Sequence, residues 1–260
     1  MASKPWHVEE EAGPGPNQMT FRLRVTRLVP ADLITAVGDA VHNMRSALDA
    51  VAHEMARRHV GESLSEAQER ATEFPITKDG DSFDAFFCDR RRDGLYGPAE
   101  IAALRSVQPF ALGDEARALG VAVTDSPELT LKTDELYRLH QVSCIDKHRR
   151  LPIVALFPGL VYWTAPPSGN TYQWQVGTSP TVTVEDGTVL GYLTDAEGQA
   201  PPAAKVFHEL RLALMDDPAF RRPIVEVLNA WYGYITGWVL PRVFAVADGN
   251  PAPLLISSGS

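Results

Sequence analysis

The chain has 260 residues, of which 45% are hydrophobic and 22% are charged, a balance typical of a globular protein with a real core. Its formal net charge of −9 argues against a broad DNA-binding surface, because phosphate contacts need clustered Lys and Arg. Two cysteines, Cys88 and Cys144, are too few for a disulfide-stapled secreted fold, so reduced thiols and a cytoplasmic protein are expected.

The chain is predicted to begin with a flexible tail over residues 1–18, which are rich in Pro, Gly and Glu. This segment has no apolar run, which argues against a signal peptide. Apolar and polar residues alternate over residues 19–29, a pattern that predicts a strand with one buried face. Pro30 then opens a long helix, and Gly61 ends it.

Turn and capping signals divide the segment after Gly61 into short helices. Ser63 and Glu66 have the spacing of a capping box, which predicts a helix that reaches residue 72. Phe74-Pro75-Ile76 breaks the helical pattern and is predicted to pack as an extended apolar segment. Further helices are predicted over residues 82–92, 98–108 and 134–145, with a loop over residues 111–127.

The pattern changes to short β-rich runs from residue 152 onward. Strands are predicted over residues 153–157, 160–164, 172–176, 181–185, 188–193 and 205–215. Asp186-Gly187, between two of these runs, is a strong signal for a hairpin turn. The predicted sheet is therefore antiparallel.

A closing helix is predicted after Pro218, followed by a flexible tail over residues 248–260. Residues 223–240 are the most apolar stretch, but Glu226 and Asn229 interrupt it, which favours a buried core helix over a membrane span. The order of elements, without a repeat or a long linker, predicts one α+β domain over residues 19–247. In it, a helical N-terminal half packs on an antiparallel sheet, and a C-terminal helix closes the fold.

Two lines of residues run along the long helix. Apolar residues at helical spacing predict its buried face, which consists of Val37, Val41, Met44, Leu48, Val51 and Met55. His42, Arg45, Asp49 and His53 lie on a neighbouring line, where Arg45 and Asp49 have the spacing of an ion pair. A solvent-exposed helix face usually carries Lys, Glu or Gln, and this line has none of them. The line is therefore a candidate site, and the alternative interpretation is the ordinary polar edge of an amphipathic helix.

A second polar set lies on and after the helix predicted to begin at Asp134. It consists of Glu135, His140, Asp146, His148 and Arg149. The helix dipole alone favours basic residues at this end. Cys144 could pair with His148, although a Cys on a helix is more often a small core residue. A metal site would draw on His140, Asp146 and His148 with His42 or Asp49. No HExxH, CxxC or phosphate-cradling glycine motif is present, however, so neither a metal nor a cofactor is expected.

Four short segments stand out in this order: GDAVHNMRSALD at residues 38–49, FPI at 74–76, QPF at 108–110 and IDKHR at 145–149. Together they resemble a group of proteins without an established activity that is common in actinobacteria and their phages. Members often carry His directly after the ALD sequence, which is similar to HEPN-type ribonucleases, whose helical Arg and His cleave RNA without a metal. This chain has Ala50 at that position, so the resemblance implies a distant HEPN-like relation.

Two hypotheses follow for the polar residues. In the first, the chain cleaves RNA phosphodiesters without a metal, with histidine as general acid and base and with cationic side chains that stabilise the developing charge. Its catalytic set is His42, Arg45, Asp49, Asp146 and His148, and its binding set is Asn43, His53, His140, Lys147 and Arg149. In the second, the protein is a non-catalytic module whose polar network is structural or binds an anionic small molecule. A metal-dependent hydrolase ranks third, and a homodimer is left open.

Overall fold

The computed structural model describes residues 6–15, 17–27, 30–61, 63–118, 135–144, 153–164, 172–177, 185–195, 205–214 and 223–250. Over these ranges the protein is α+β, as predicted, with helices, an antiparallel sheet and a C-terminal helix. The chain divides into two compact units, Met1–Thr35 with Leu151–Val227 and Ala36–Arg150 with Leu228–Ser260. Each unit combines segments that are far apart in the sequence, so no linker marks the division.

The first unit contains the strands, all of which pair antiparallel. They are β1 (Trp6–Ala12), β2 (Gln18–Val25), β3 (Ile153–Thr164), β4 (Tyr172–Val176), β5 (Val189–Asp195) and β6 (Lys205–Leu214). One sheet has the order β1-β2-β5-β4, and β3 pairs with β6 in a separate two-stranded sheet. β3 is one strand with register shifts where the sequence predicted two.

β1 lies inside the segment predicted to be a flexible tail, and that prediction is wrong for residues 6–12. Val8 lies opposite Leu23 on β2, and both contribute to the packed side of the sheet. The glutamates that suggested disorder form cross-strand ion pairs, since Arg22 binds Glu11 at 3.0 Å. Opposite charges on neighbouring strands stabilise such a pairing, which a composition argument cannot reveal.

The sheet core is built around a close contact between a tryptophan and a glycine. Phe21 and Leu193 are fully buried, and the Trp174 ring lies 5.5 Å from the Phe21 ring. Gly191 sits beneath that tryptophan, and a Cβ at this position would lie 2.1 Å from Trp174 Cζ2. Only glycine therefore lets β4 and β5 pair with this tryptophan in place.

The predicted turn at Asp186-Gly187 is present, and its backbone is hydrogen-bonded to β2. Gly187 has a φ of +84°, its N–H donates to the Leu23 carbonyl at 2.9 Å, and Leu23 N–H donates to the Thr188 carbonyl at 2.9 Å. The strand predicted at residues 181–185 lies largely outside the described residues. The described partners of β5 are thus β2 and β4.

The helices are α1 (Ala31–Val60), α2 (Glu66–Ala71), α3 (Gly80–Phe87), α4 (Pro98–Ser106), α5 (Pro109–Ala118), α6 (residues 135–144), α7 (Ile224–Tyr234) and α8 (Leu240–Ala247). α1 ends as predicted, because Gly61 adopts a φ of +74° that side chains disfavour. The capping box of α2 is formed by Ser65 and Gln68, two residues later than predicted. α3 is shorter than expected and is followed by a 3₁₀ turn at Arg90–Arg92.

The loop predicted over residues 111–127 is wrong for residues 111–118, because α5 continues to Ala118. Pro109 stands at its first position, where the missing N–H costs nothing. Leu112 and Ala116, one turn apart, are fully buried and supply the packing that holds the helix. A short apolar stripe interrupted by Gly113 carried too little helical signal. Residues 119–134 lie outside the described part.

The C-terminal helical segment is longer than the predicted core helix and contains a π-helical turn at Ile235–Val239. Pro241 follows this turn and has no N–H to donate four residues back, which accounts for the wider turn. The buried side chains recur every four residues, at Val227, Trp231, Ile235, Val239 and Val243. Among the described residues, no helix is both long and apolar enough to cross a membrane. Of the predicted tail, residues 251–260 lie outside the described part.

Candidate functional site

The predicted polar line of α1 divides into a buried part and an exposed part. Arg45 is only 4% exposed, whereas His42 and Asn43 are exposed and Asp49 is half-buried. The buried face of α1 includes Gly38, Ala52 and Ala56 beside the predicted apolar positions, while Met44 and Val51 are only partly buried. The buried face is therefore rotated toward Arg45, away from the centre that the apolar pattern predicted.

Arg45 uses one nitrogen of its guanidinium for three acceptors. Nη2 lies 2.7 Å from the Phe74 carbonyl oxygen, 2.9 Å from Asp49 Oδ1 and 3.1 Å from Glu73 Oε1. The predicted pair of Arg45 and Asp49 is thus present, four residues apart on one helix. The role of this pair in the fold follows from its contact with the backbone of Phe74.

Asp49 completes the contact with the same residue. Its Oδ1 accepts a hydrogen bond from the Phe74 N–H at 3.0 Å, so Arg45 and Asp49 together bind both backbone polar groups of Phe74. The Phe74 side chain is fully buried. An extended segment buried among helices has no strand beside it, and its backbone groups must find side-chain partners. The ion pair of α1 supplies them.

Gln108 does the same for the residues that follow. Its Nε2 donates to the Pro75 carbonyl at 2.8 Å and to the Leu104 carbonyl at 3.0 Å, and its Oε1 accepts from the Thr77 N–H at 3.0 Å. The Gln108 side chain is fully buried and all its contacts have good geometry. We call Arg45, Asp49 and Gln108, with the segment at residues 74–77 that they hold, the FPI clamp.

The FPI clamp contains parts of three of the four segments that carry the family resemblance. RSALD contributes Arg45 and Asp49, FPI is the segment that is bound, and QPF contributes Gln108. The segments lie far apart in the sequence and meet at one place in the second unit. The fourth segment, with Asp146, Lys147, His148 and Arg149, lies outside the described residues.

Glu73 connects the FPI clamp to a second arginine. Its Oε2 lies 3.6 Å from Arg92 Nη2, while its other oxygen contacts Arg45. Arg92 also donates to the Ala71 carbonyl at 3.1 Å and lies 3.7 Å from the centre of the Phe86 ring. Glu73 itself is about half exposed, so this link adds charge balance at the rim of the clamp.

Two buried polar atoms beside the FPI clamp make no hydrogen bond of normal geometry to a described residue. They are Arg45 Nη1 and Tyr96 Oη. Burial raises the pKa of Tyr96 to about 12, and the charges of Asp49 and Glu73 act in the same direction. The Glu73 backbone N–H lowers the pKa in opposition to burial, although it lies outside normal hydrogen-bond geometry with the phenol oxygen.

The histidines of α1 do not join the FPI clamp. His42 is exposed, and its Nε2 lies 3.4 Å from Ser46 Oγ on the same helix. His53 is half-buried, and in the described part of the chain neither imidazole hydrogen-bonds to Arg45 or Asp49. A carboxylate that orients a catalytic imidazole would have to contact it. Asp49 contacts the backbone instead.

His140 lies on α6 beside a cysteine. Its Nε2 is 3.7 Å from Cys144 Sγ, and its ring centre is 6.4 Å from that of Tyr137. The Lys78 ammonium lies over the Tyr137 ring, 4.8 Å from its centre. The pair predicted between Cys144 and His148 involves a residue outside the described part, and His140 is the imidazole found next to the thiol.

Within the described ranges, no group of three or more His, Cys, Asp or Glu side chains is placed to hold a metal ion. Asp146 and His148 of the candidate ligand set lie outside those ranges. His42 and Asp49, the described candidates on α1, make the separate contacts given above.

Sequence reasoning missed a second buried arginine, Arg242 of α8. Its Nε donates to the Ser106 carbonyl at 3.0 Å, its Nη2 binds the Glu115 carboxylate, and its guanidinium lies 5.1 Å from the Trp238 ring centre. Arg242 therefore joins α8 to the end of α4 and to α5. One charged residue in an otherwise apolar run, directly after Pro241, was the available signal.

Glu73 and Gln108 were also missed as functional residues. Gln108 stood within one of the four segments that carry the resemblance, but an uncharged side chain does not indicate catalysis.

Neither a family model nor a curated protein nor a solved structure matches this chain.

Proposed function

We propose that the protein is a non-catalytic module, in which the polar line of α1 has a structural role. The observation that carries this proposal is the double contact with Phe74, where Arg45 and Asp49 bind the carbonyl and the N–H of one buried residue. A buried polar network of this kind fixes geometry when its members are satisfied. In this proposal, the RSALD, FPI and QPF segments serve to pack residues 74–77.

The arrangement of Arg45 supports this choice over RNA cleavage. A cation that stabilises a phosphodiester transition state must reach the phosphate oxygens. Arg45 is 4% exposed and its Nη2 already serves three acceptors. The same facts favour a structural network over a pocket for an anionic small molecule at this arginine. Cleavage through His42 and His148 stays a prediction, since His148 lies outside the described residues.

The replacement Asp49→Ala tests the structural role. It leaves the Phe74 N–H without its acceptor and Arg45 without its closest carboxylate, so the free energy of unfolding should fall by ~1–3 kcal/mol. Asp39→Ala is the matched control, because Asp39 is an exposed acid on the same helix. Urea unfolding of both variants checks this. Equal stability of Asp49→Ala and Asp39→Ala would refute the structural role.

An RNA assay tests the absence of catalysis. Full-length protein, incubated with labelled RNA in EDTA, is expected to leave the RNA intact. Cleavage that persists in EDTA and disappears in His148→Ala would overturn the proposal and support the HEPN-like alternative. Unfolding measured on the same preparation ensures that the protein assayed is folded.

A further inference from the structure

The two cysteines offer a natural comparison. Both Cys88 and Cys144 are exposed and neither forms a disulfide. Cys144 Sγ lies 3.7 Å from His140 Nε2, within hydrogen-bonding distance for sulfur. Cys88 follows the last turn of α3, and its described contact is a backbone hydrogen bond to the Asp84 carbonyl. Both cysteines are thus exposed to solvent, whereas their described neighbours differ.

α6 fixes the geometry of the Cys144–His140 pair. Residues four apart on a helix lie on the same face, so the imidazole and the thiol are adjacent whenever α6 is formed. His140 is half-buried, and its ring centre lies 6.4 Å from that of Tyr137. The Lys78 ammonium lies 4.8 Å from the centre of the same Tyr137 ring. An exposed thiol therefore stands next to a half-buried imidazole on the same helix face.

We propose that the Cys144–His140 pair is a modification site, at which Cys144 reacts with small disulfides. A nucleophilic thiol is activated by a base within hydrogen-bonding reach, and such contacts are often looser before a substrate binds. This site uses none of the FPI clamp residues, so it is independent of the proposed structural role of Arg45 and Asp49. It gives a non-catalytic module a position that responds to the thiol–disulfide balance around it.

The reaction is thiol–disulfide exchange. His140 Nε2 takes the proton of the Cys144 thiol, and the thiolate attacks one sulfur of the small disulfide. A new bond forms between Cys144 Sγ and that sulfur while the original disulfide bond breaks. The departing thiolate takes the proton back from the imidazolium. The small disulfide is the oxidant, and one thiol is released for each mixed disulfide formed.

Single-cysteine variants test the proposal with dithiodipyridine, a neutral disulfide whose released thiopyridone absorbs light. Cys88→Ser retains Cys144, and Cys144→Ser retains Cys88. Because base assistance typically raises a rate by one or more orders of magnitude, Cys144 should react at least about tenfold faster than Cys88. Equal rates, or a faster Cys88, would overturn the proposal.

A second variant separates base assistance from simple accessibility. His140→Gln in the Cys88→Ser background keeps a polar side chain but removes the base, and the rate should fall to about that of Cys88. His53→Gln in the same background is the control and should leave the rate unchanged. An unchanged rate in His140→Gln would refute the role of the imidazole.

The wild-type chain provides a readout that needs no substitution. Labelling with less than one equivalent of the disulfide, followed by peptide mass spectrometry, should place the label mainly on Cys144. A label shared evenly between Cys88 and Cys144 would contradict the proposal, even if His140→Gln did not fold.

Discussion

Buried arginines bind backbone carbonyls at two places in the second unit. Arg45 donates to the Phe74 carbonyl, and Arg242 donates to the Ser106 carbonyl, each with a carboxylate nearby. Both carbonyls belong to segments where a helix is interrupted or has just ended. Arginine suits this role because its guanidinium carries several fixed donors and stays charged when buried.

Replacing Arg242 should destabilise the protein far more than replacing an exposed arginine of similar chemistry. Arg242→Met removes the hydrogen bond to Ser106 and the ion pair with Glu115, so we expect a loss of ~2–4 kcal/mol. The control is Arg117→Met on α5, whose ion pair with Asp114 is exposed. That change should cost less than about 0.5 kcal/mol. Thermal unfolding of the two variants measures the difference, and similar losses would contradict the role of Arg242.

Tyr96 should make the protein less stable at high pH. Burial raises its pKa from 10.0 to about 12, so the folded chain holds the phenol proton after the unfolded chain has lost it. Stability therefore falls as pH rises between these two values, because ionisation favours the unfolded state. Tyr96→Phe should reduce this fall. It should change stability little near neutral pH, because the hydroxyl it removes makes no hydrogen bond of normal geometry to a described residue.

Urea unfolding of wild type and Tyr96→Phe, at neutral pH and near pH 11, measures both effects on the phenol. A large loss of stability in Tyr96→Phe at neutral pH would show that the hydroxyl has a stabilising partner.

At this scale the sequence predicted one half of the FPI clamp. The pairing of Arg45 with Asp49 follows from their spacing on one helix and is confirmed. Their joint partner, Phe74, is 25 residues beyond Asp49, and contacts across such a distance leave no periodic signal. Asp49 suggested chemistry because acids and bases are what catalysis needs, whereas here it accepts a backbone N–H.

Among the elements, those with a strong local signal were predicted well. α1 begins after Pro30 and ends before Gly61, and the extended FPI segment is buried as expected. α5 was missed, since its helix depends on the burial of Leu112 and Ala116 by the rest of the fold. β1 was missed for a similar reason, because its stability comes from pairing with β2.

Gly191 should be the most sensitive glycine of the sheet. In Gly191→Ala the new Cβ meets the rigid Trp174 ring at 2.1 Å, so either the ring or the strand must move. Overpacking of this kind costs ~1–3 kcal/mol. Gly113→Ala is the control, because no described atom lies within 4 Å of its Cβ and alanine favours a helix, which should add ~0.5–1 kcal/mol.

The two glycine variants are compared by thermal unfolding under identical conditions. Gly191→Ala should lower the free energy of unfolding, and Gly113→Ala should raise it. A Gly191→Ala protein as stable as the wild type would show that the sheet tolerates a side chain beneath Trp174.

At the scale of the whole molecule, the class was predictable and the organisation was not. Helices followed by β-rich runs indicate α+β, and this is confirmed. The sheet, however, pairs β1 and β2 from the start of the chain with β4 and β5 from far beyond. Each compact unit is likewise built from separate segments. Such long-range pairing depends on tertiary contacts, and neither composition nor periodicity records it.

The most direct test of the structural role of the polar line is hydrogen exchange at the Phe74 backbone amide. This N–H is held by Asp49 Oδ1, so in the folded wild-type protein it should exchange at least ~100-fold more slowly than in an unfolded chain. Asp49→Ala should remove most of this protection, and Asp39→Ala should preserve it. A Phe74 amide that exchanges at the unfolded rate in the folded wild-type protein would contradict the account.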